Sequence, residues 1–444
     1  MLMGPSLIIN GTLVSASWSR QKDIAVEGGK ITCTGKIDPD DFAGCQVIDA
    51  TGRYIFPGGF DPHVHLALPT PAGNSCDDFR NGSLAALAGG TTFFMDFVTP
   101  HRGQSLAEAL RLRREEAAQS LTGCGLHMGI SEWNPGIASE ILPLMEREGI
   151  CSFKAYLAYP ETIGIGYGDL RELMQIVGPA GGVVMVHCEE GGTIAGMQRQ
   201  LIAEGKTRPC FHAVSRPAEA EVSAIEKVIG MSALTGCPVY IVHISTGRGA
   251  DLVAAAKKDG IRVYAETCPH YLLFDDSVYD PGRKDLEALP FILSPPIRTK
   301  DDREHLWERV ADGTFDTIGT DHCPFNVHGQ KDRGLHNFTK IPNGTGGIRH
   351  RLGLMYTNGV LPGKITLNRF IDLVSTKPAE IFGYGGRKGK LLPGYDADLV
   401  IWDPKISRTV SRDPKIDTCD SDIYEGMALT GGPVVVVTGG RSVR

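Results

Sequence analysis

Apolar and polar positions follow a β-type pattern at both ends of the chain. Short apolar, β-branched runs occupy Ser6 to Ser15, interrupted by Asn10-Gly11, and Asp398 to Trp402. Such runs are typical of strands, and an Asn-Gly pair between two of them predicts a hairpin turn. Neither end has enough strands to bury a core by itself. We therefore expect residues 1–57 and 386–444 to form one small, discontinuous β-sandwich domain.

The middle of the chain, residues 58–385, has a different pattern. Short β-branched or aromatic runs alternate with helix-length stretches such as Ser105 to Ala118 and Ala218 to Thr235. The predicted strands begin near Tyr54, Thr91, Gly125, Cys151, Val183, Val239, Arg262 and Phe315. Eight strands with helices between them predict an α/β fold, a (β/α)₈ TIM-like barrel. A doubly wound open sheet is the alternative, but no glycine-rich phosphate loop follows the first strand.

Composition and charge narrow the class of partner. The 444 residues carry a net charge of −7, which gives no electrostatic reason to expect nucleic acid or an anionic membrane. No apolar run is long enough to cross a bilayer, and the first ten residues lack a basic segment followed by an apolar one. We therefore expect a cytoplasmic location. The 11 cysteines are scattered without a CxxC pair, which predicts reduced thiols and no zinc ribbon or disulfide framework.

Polar side chains end or interrupt the apolar runs of the predicted barrel. They are His63 and His65 (DPHVH), Lys154 (FKAY), His187 (VHCEE), His243 (VHIS) and Asp321 (GTDHC). Active sites of this fold gather at the C-terminal ends of strands. Residues two apart on a strand point to the same face, so one ion can reach both imidazoles of the HxH pair. A single buried histidine is more often a hydrogen-bonded core residue. Four histidines at predicted strand ends favour the binding of a divalent metal ion over four separate core roles.

Asp321 and Lys154 extend this interpretation. An aspartate can bind a metal through one oxygen and accept a proton with the other. A helix N-cap is the alternative role of Asp321, and the following Cys323-Pro324 makes it less favourable.

Lys154 would be repelled by dications if it were an ammonium, but burial and nearby positive charge lower a lysine pKa and free the amine. A neutral amine can add carbon dioxide to form a carbamate that bridges two metals. Without the other candidates, Lys154 would be an ordinary solvated lysine.

The chain carries an ordered set of motifs along nearly its whole length. These are DPHVH, FKAYLAY, VHCEE, VHIST, ETCPHYL, SPPIR, GTDHCPF and FTKIPNG. In these motifs it resembles the cyclic amidohydrolases, specifically the hydantoinases and dihydropyrimidinases. The resemblance implies a barrel with a β-sandwich, an N6-carboxylated Lys154 and two divalent metal ions per subunit, commonly zinc, with manganese or cobalt as alternatives. It places one metal on His63, His65, Lys154 and Asp321, and the other on Lys154, His187 and His243.

The resemblance also implies a reaction. A hydroxide bridging the metals would open the ring amide of a hydantoin or dihydropyrimidine to an N-carbamoyl amino acid. Asp321 would transfer the proton, Tyr159 would stabilise the oxyanion, and backbone groups of Ser294 and Asn343 would hold the substrate. From the residues alone, a tyrosine at the position of Tyr159 is more often a packing residue than an oxyanion donor, and Ser294 and Asn343 are typical of turns.

Two other functions are open at this point. Allantoinase would share the metal site and differ in the pocket. A non-catalytic, dihydropyrimidinase-like interaction protein would have lost metal ligands, whereas all six positions are present here. Dihydroorotase-type relatives carry an arginine soon after the HxH motif. Here the apolar stretch Leu66 to Pro71 follows instead and, with the loop Tyr156 to Gly166, would shape the substituent pocket. We expect a small cyclic ureide as substrate and a homo-oligomer, dimer or tetramer, as the assembly.

Overall fold

The computed structural model describes residues 6–38, 42, 44–159 and 161–443. Their strands are β1 (Ser6–Ile9), β2 (Thr12–Val14), β3 (Ser19–Gln21), β4 (Asp23–Glu27), β5 (Lys30–Gly35), β6 (Gln46–Asp49), β7 (Tyr54–Pro57), β8 (Gly59–Val64), β9 (Thr91–Val98), β10 (Gly123–Gly129), β11 (Ser152–Tyr156), β12 (Val183–His187), β13 (Val239–Ile241), β14 (Val263–Thr267), β15 (Thr317–Ile318), β16 (Leu399–Thr409), β17 (Ala428–Thr438) and β18 (Arg441–Ser442).

Their α-helices are α1 (Phe79–Ala88), α2 (Leu106–Ala117), α3 (Pro135–Glu148), α4 (Tyr167–Val177), α5 (Gly191–Ala203), α6 (Phe211–Val214), α7 (Ala218–Thr235), α8 (Gly247–Lys258), α9 (Pro269–Leu273), α10 (Asp285–Ala288), α11 (Lys300–Ala311), α12 (Arg351–Met355), α13 (Leu367–Ile371) and α14 (Lys377–Ile381). The helix predicted from Ser105 is confirmed, and the Ser105 side chain caps it by accepting from the backbone N–H of Glu108. None of the helices in the described ranges is long and apolar enough to cross a membrane.

Strands β8 to β15 form one parallel sheet in chain order. The ends of this sheet meet where Val64 pairs with His322 and the backbone N–H of His65 donates to the His322 carbonyl at 2.8 Å. These contacts close the barrel and confirm the predicted fold. Strand β9 is buried at every position because helices cover the outside of the sheet and side chains fill its inside. The carboxyl ends of the strands therefore surround one common site.

The first barrel strand begins at Gly59 and not near Tyr54, so this strand prediction is wrong. Strand β7 pairs instead with β16 in the six-stranded sheet β18-β17-β16-β7-β2-β3. Gly58 separates the two sheets, since its N–H donates to Asp398 while that of Gly59 donates to Gly90. A Cβ at Gly58 would lie 2.0 Å from Oγ1 of Thr92, so only glycine fits at this crossing.

The chain ends join in a small two-sheet domain, as predicted. The second sheet has the order β5-β4-β1-β6, and the core between the sheets combines Leu13 and Ile55 with Leu399 and Val437. The predicted hairpin at Asn10-Gly11 is wrong, because β1 and β2 belong to different sheets. Asn10 has a φ of 62°, and this turn carries the chain from one sheet to the other. The domain limits at 57/58 and 385/386 stay a prediction.

Candidate metal centre and active site

His63, His65 and Asp321 converge at the seam that closes the barrel. His63 lies on β8, His65 follows that strand, and Asp321 follows β15. The Nε2 atoms of the two histidines are 3.2 Å apart and lie 3.1 and 3.2 Å from Oδ1 of Asp321. Burial lowers the pKa of His65 to about 4, so its imidazole is neutral at pH 7 and can offer a lone pair. Geometrically, this group could hold a metal ion.

His187 and His243 form a second pair beside the first. His187 ends β12 and His243 follows β13, and Nδ1 of the former lies 3.0 Å from Nε2 of the latter. The rings of His63 and His243 are 5.5 Å apart, so the two pairs share one site. Burial lowers the pKa of both imidazoles in the second pair, which favours their neutral, metal-binding form.

Lys154 lies on β11 among these side chains and is fully buried, which excludes the solvated lysine. Its Nζ has no hydrogen-bond partner among the described residues and lies 5.2 and 5.1 Å from the ring centres of Phe97 and Tyr156. Burial lowers its pKa to about 8 against the opposing charges of Asp321 and Glu266. The neutral amine is therefore far more accessible near neutral pH than that of a solvated lysine. A buried amine with neither hydrogen bond nor ion pair among the described residues fits carbamate formation.

Two buried carboxylates that the sequence analysis did not single out orient the histidines. Glu266 accepts from Nδ1 of His63 at 2.7 Å, and Glu189 accepts from Nε2 of His187 at 2.8 Å. Each contact fixes the ring tautomer and turns the other nitrogen toward the shared site. Both glutamates occur within the motifs ETCPHYL and VHCEE, which was the available signal.

The site opens into a cavity of about 330 Å³. Its lining includes Tyr159, Ser294 and Asn343, which the sequence analysis assigned to substrate, together with His65, Lys154, His187, His243 and Asp321. The phenol oxygen of Tyr159 accepts from Nδ2 of Asn343 at 3.4 Å, which leaves its own proton free to donate. Leu68, Pro69, Pro71 and Ile163, from the two segments expected to shape the pocket, also line it. Eight of the nine predicted site residues thus line one cavity, and the ninth, His63, lies directly behind His65 and Asp321.

Backbone strain is concentrated at the same place. Tyr159, His243 and Asp321 have φ angles of 60°, 41° and 48°, in the left-handed region that residues with a Cβ rarely adopt. Such conformations persist only where the surrounding structure enforces them, and they cluster at functional sites.

Known proteins match this architecture. The sequence model of the amidohydrolase family matches residues 54–443. The chain is 38% identical over 438 residues to a D-hydantoinase of Geobacillus stearothermophilus, covering 98% of this chain and 92% of that protein. A D-hydantoinase of Ralstonia pickettii is 36% identical over 439 residues, covering 98% and 94%. The crystal structure of dihydropyrimidinase from Brevibacillus agri NCHU1002 has a TM-score of 0.96 at 37% identity, covering 99% and 95%. On the arrangement of its barrel and on these matches, the chain belongs to the amidohydrolase family.

Proposed function

We propose that the protein is a metal-dependent cyclic amidohydrolase that opens the ring amide of hydantoins or dihydropyrimidines to N-carbamoyl amino acids. One observation carries the proposal: two pairs of buried histidines and Asp321 lie around the Lys154 amine, which has no hydrogen-bond partner among the described residues, beside a partly apolar cavity. The names of the similar proteins, D-hydantoinase and dihydropyrimidinase, support the substrate class.

The donor set fits two divalent ions. His63, His65, Asp321 and carboxylated Lys154 would hold one, and carboxylated Lys154, His187 and His243 the other. Imidazole with carboxylate oxygen suits zinc, and manganese or cobalt are the alternatives. When bound, the ions supply a water-derived nucleophile at neutral pH and polarise the carbonyl. The Lys154 amine would attack carbon dioxide: the N–C bond forms as one C=O π bond breaks onto its oxygen, and one amine proton passes to water, which leaves an anionic carbamate.

The chain's own residues would carry the remaining chemistry. Asp321, next to the imidazoles, would take the proton released during attack and transfer it to the leaving ring nitrogen. The Tyr159 hydroxyl already accepts a hydrogen bond from Asn343, so its own O–H is available as a donor. It would donate a hydrogen bond to the substrate carbonyl oxygen as that oxygen becomes negative. Backbone groups of Ser294 and Asn343 would hold the ring edge. The apolar wall around Leu68 would take the ring substituent and exclude water.

The cavity lining favours an uncharged substrate. Among the described residues that line it, Lys154 is the only lysine or arginine, so no guanidinium is available for a substrate carboxylate. This opposes dihydroorotate. Allantoinase activity is the nearest alternative, since an allantoinase would use the same metal site and differ only in having a more polar substrate pocket. A non-catalytic scaffold is disfavoured because all six candidate ligands are present and close together.

A substrate panel tests the proposal. Hydantoin, alkyl- and aryl-hydantoins, dihydrouracil, allantoin and dihydroorotate are compared by kcat/KM, alongside metal analysis of the purified protein. We expect about two ions per chain and the highest values for uncharged substituents. If dihydroorotate were the best substrate, the inference of an uncharged substituent would be wrong. If the protein showed neither turnover nor bound metal, a non-catalytic interaction protein would be favoured.

A cytoplasmic location and a dimeric or tetrameric assembly are further proposals.

A further inference from the structure

A second buried lysine lies behind the cavity. Lys331 begins the short 3₁₀ helix Lys331–Gly334 and is 1% exposed. No carboxylate of the described chain pairs with it, and the ionisable groups near it are the thiols of Cys76, Cys323 and Cys419 and the imidazole of His212. Burial lowers its pKa to about 7. Placing an amine in this position is costly, so its hydrogen bonds must compensate.

Both hydrogen bonds of the Lys331 side chain go to backbone carbonyls. Its Nζ donates to Ile292 at 2.8 Å and to Gly344 at 2.7 Å. The backbone N–H of Gly344 also donates to the Ile292 carbonyl at 3.0 Å. The Lys331 side chain and one backbone hydrogen bond therefore connect the segment at Ile292 to the segment at Gly344.

These two segments carry the proposed substrate contacts. Ser294 lies two residues after Ile292, and Asn343 directly precedes Gly344; both contact residues line the cavity with Gly344. Gly344 packs directly against Cys323, because a Cβ at this position would lie 2.3 Å from the carbonyl oxygen of Cys323. The separation of the two substrate-binding segments thus depends on what holds Gly344 against Ile292.

We infer that Lys331 is a positioning residue that sets the spacing of the Ser294 and Asn343 backbone groups, and so governs how tightly the ring edge of the substrate binds. The inference rests on the proposed function. Lys331 is not among the residues that line the cavity, and so acts through the backbone alone. Lys331 acts on the backbone that binds the ring edge of the substrate and not on the metal centre. We therefore expect it to stabilise the bound substrate and the transition state by the same amount.

The test compares Lys331→Met with the native enzyme on the best substrate of the panel. Methionine retains length and apolar contacts but leaves the Gly344 carbonyl without its lysine donor. KM is expected to rise about tenfold or more, the effect of one charge-assisted hydrogen bond, while kcat changes less than about threefold. Metal content should equal that of the native protein. Lys340→Met, at an exposed lysine of the same region, is the matched control and should keep both constants.

Lys331→Gln keeps an amide donor and provides a second variant should the methionine protein fail to fold. Its KM is expected to lie between the native and methionine values. A native KM in a folded Lys331 variant overturns the inference, as does a fall in kcat with metal loss at constant KM. Native enzyme that hydrolyses no cyclic ureide overturns the proposed function itself, so the two failures are distinguishable.

Discussion

The Nδ1 atom of His63 lies 2.7 Å from Oε1 of Glu266, a carboxylate supplied by β14 and buried completely. This contact makes Nδ1 the donor and leaves Nε2 of His63 facing His65 and Asp321. The second carboxylate oxygen of Glu266 accepts from the Tyr240 hydroxyl at 2.7 Å, which holds the group in place. The orientation of a candidate ligand therefore depends on a residue 203 positions away.

Glu266→Gln tests this orientation. Glutamine removes the negative charge that holds the proton on Nδ1 and strengthens Nε2 as a ligand, so metal affinity should fall roughly 10- to 100-fold. Metal competition with a chelator measures the change. Glu190→Gln is the control, since Glu190 faces Tyr167 and Lys227, and it should keep native affinity. Equal metal retention in both variants would contradict the assigned role.

Tyr159→Phe should lower kcat by roughly 10²-fold or more, because one donor to the developing oxyanion is lost. Metal content should not change, since the lost hydroxyl contacts Asn343, and the phenylalanine ring keeps the packing against His187 at 5.7 Å between ring centres. Steady-state kinetics gives kcat, and metal analysis of the same preparation gives the metal content. Tyr167→Phe removes a hydroxyl that donates to Glu190 and should retain native turnover. Unchanged kcat in Tyr159→Phe would reduce this residue to a packing role.

Asp321→Asn should damage the chemical step more than binding. The asparagine amide can occupy the same position near His63 and His65, but it cannot accept and return a proton. We expect kcat to fall roughly 10²- to 10⁴-fold, while inhibition by the N-carbamoyl amino acid product keeps its native constant. Full activity at neutral pH would remove Asp321 from proton transfer.

Lys154→Ala should lose activity together with one or both metals, because the bridging anion is gone. A small carboxylic acid in solution could fill the vacated space and restore part of the turnover. Lys154→Arg should not respond, since a guanidinium stays positive and fills that space. Native mass measurement should detect the added carboxyl group on the wild-type chain. Unmodified Lys154 in a fully active, two-metal enzyme would disprove the carbamate.

Local pattern determined much of this protein. Short β-branched or aromatic runs indicated most strand positions, and the spacing of His63 and His65 predicted that both imidazoles lie on one face of a strand. Because a closed parallel barrel brings its strand ends together, candidates at separate strand ends could be predicted to meet. The small domain from both ends followed from the same logic, since neither end could bury a core by itself.

Only the tertiary structure decided how those groups are held. The change of sheet at Gly58 depends on its hydrogen bond to the distant Asp398, and the separation of β1 from β2 depends on the different strands that each one pairs with. No local period encodes either choice of partner. The contact of Glu266 with His63 and the bonds from Lys331 to two backbone carbonyls have the same origin. A buried glutamate or lysine carries no sequence mark of its partner, because the free energy that keeps it buried comes from contacts formed only when the barrel closes.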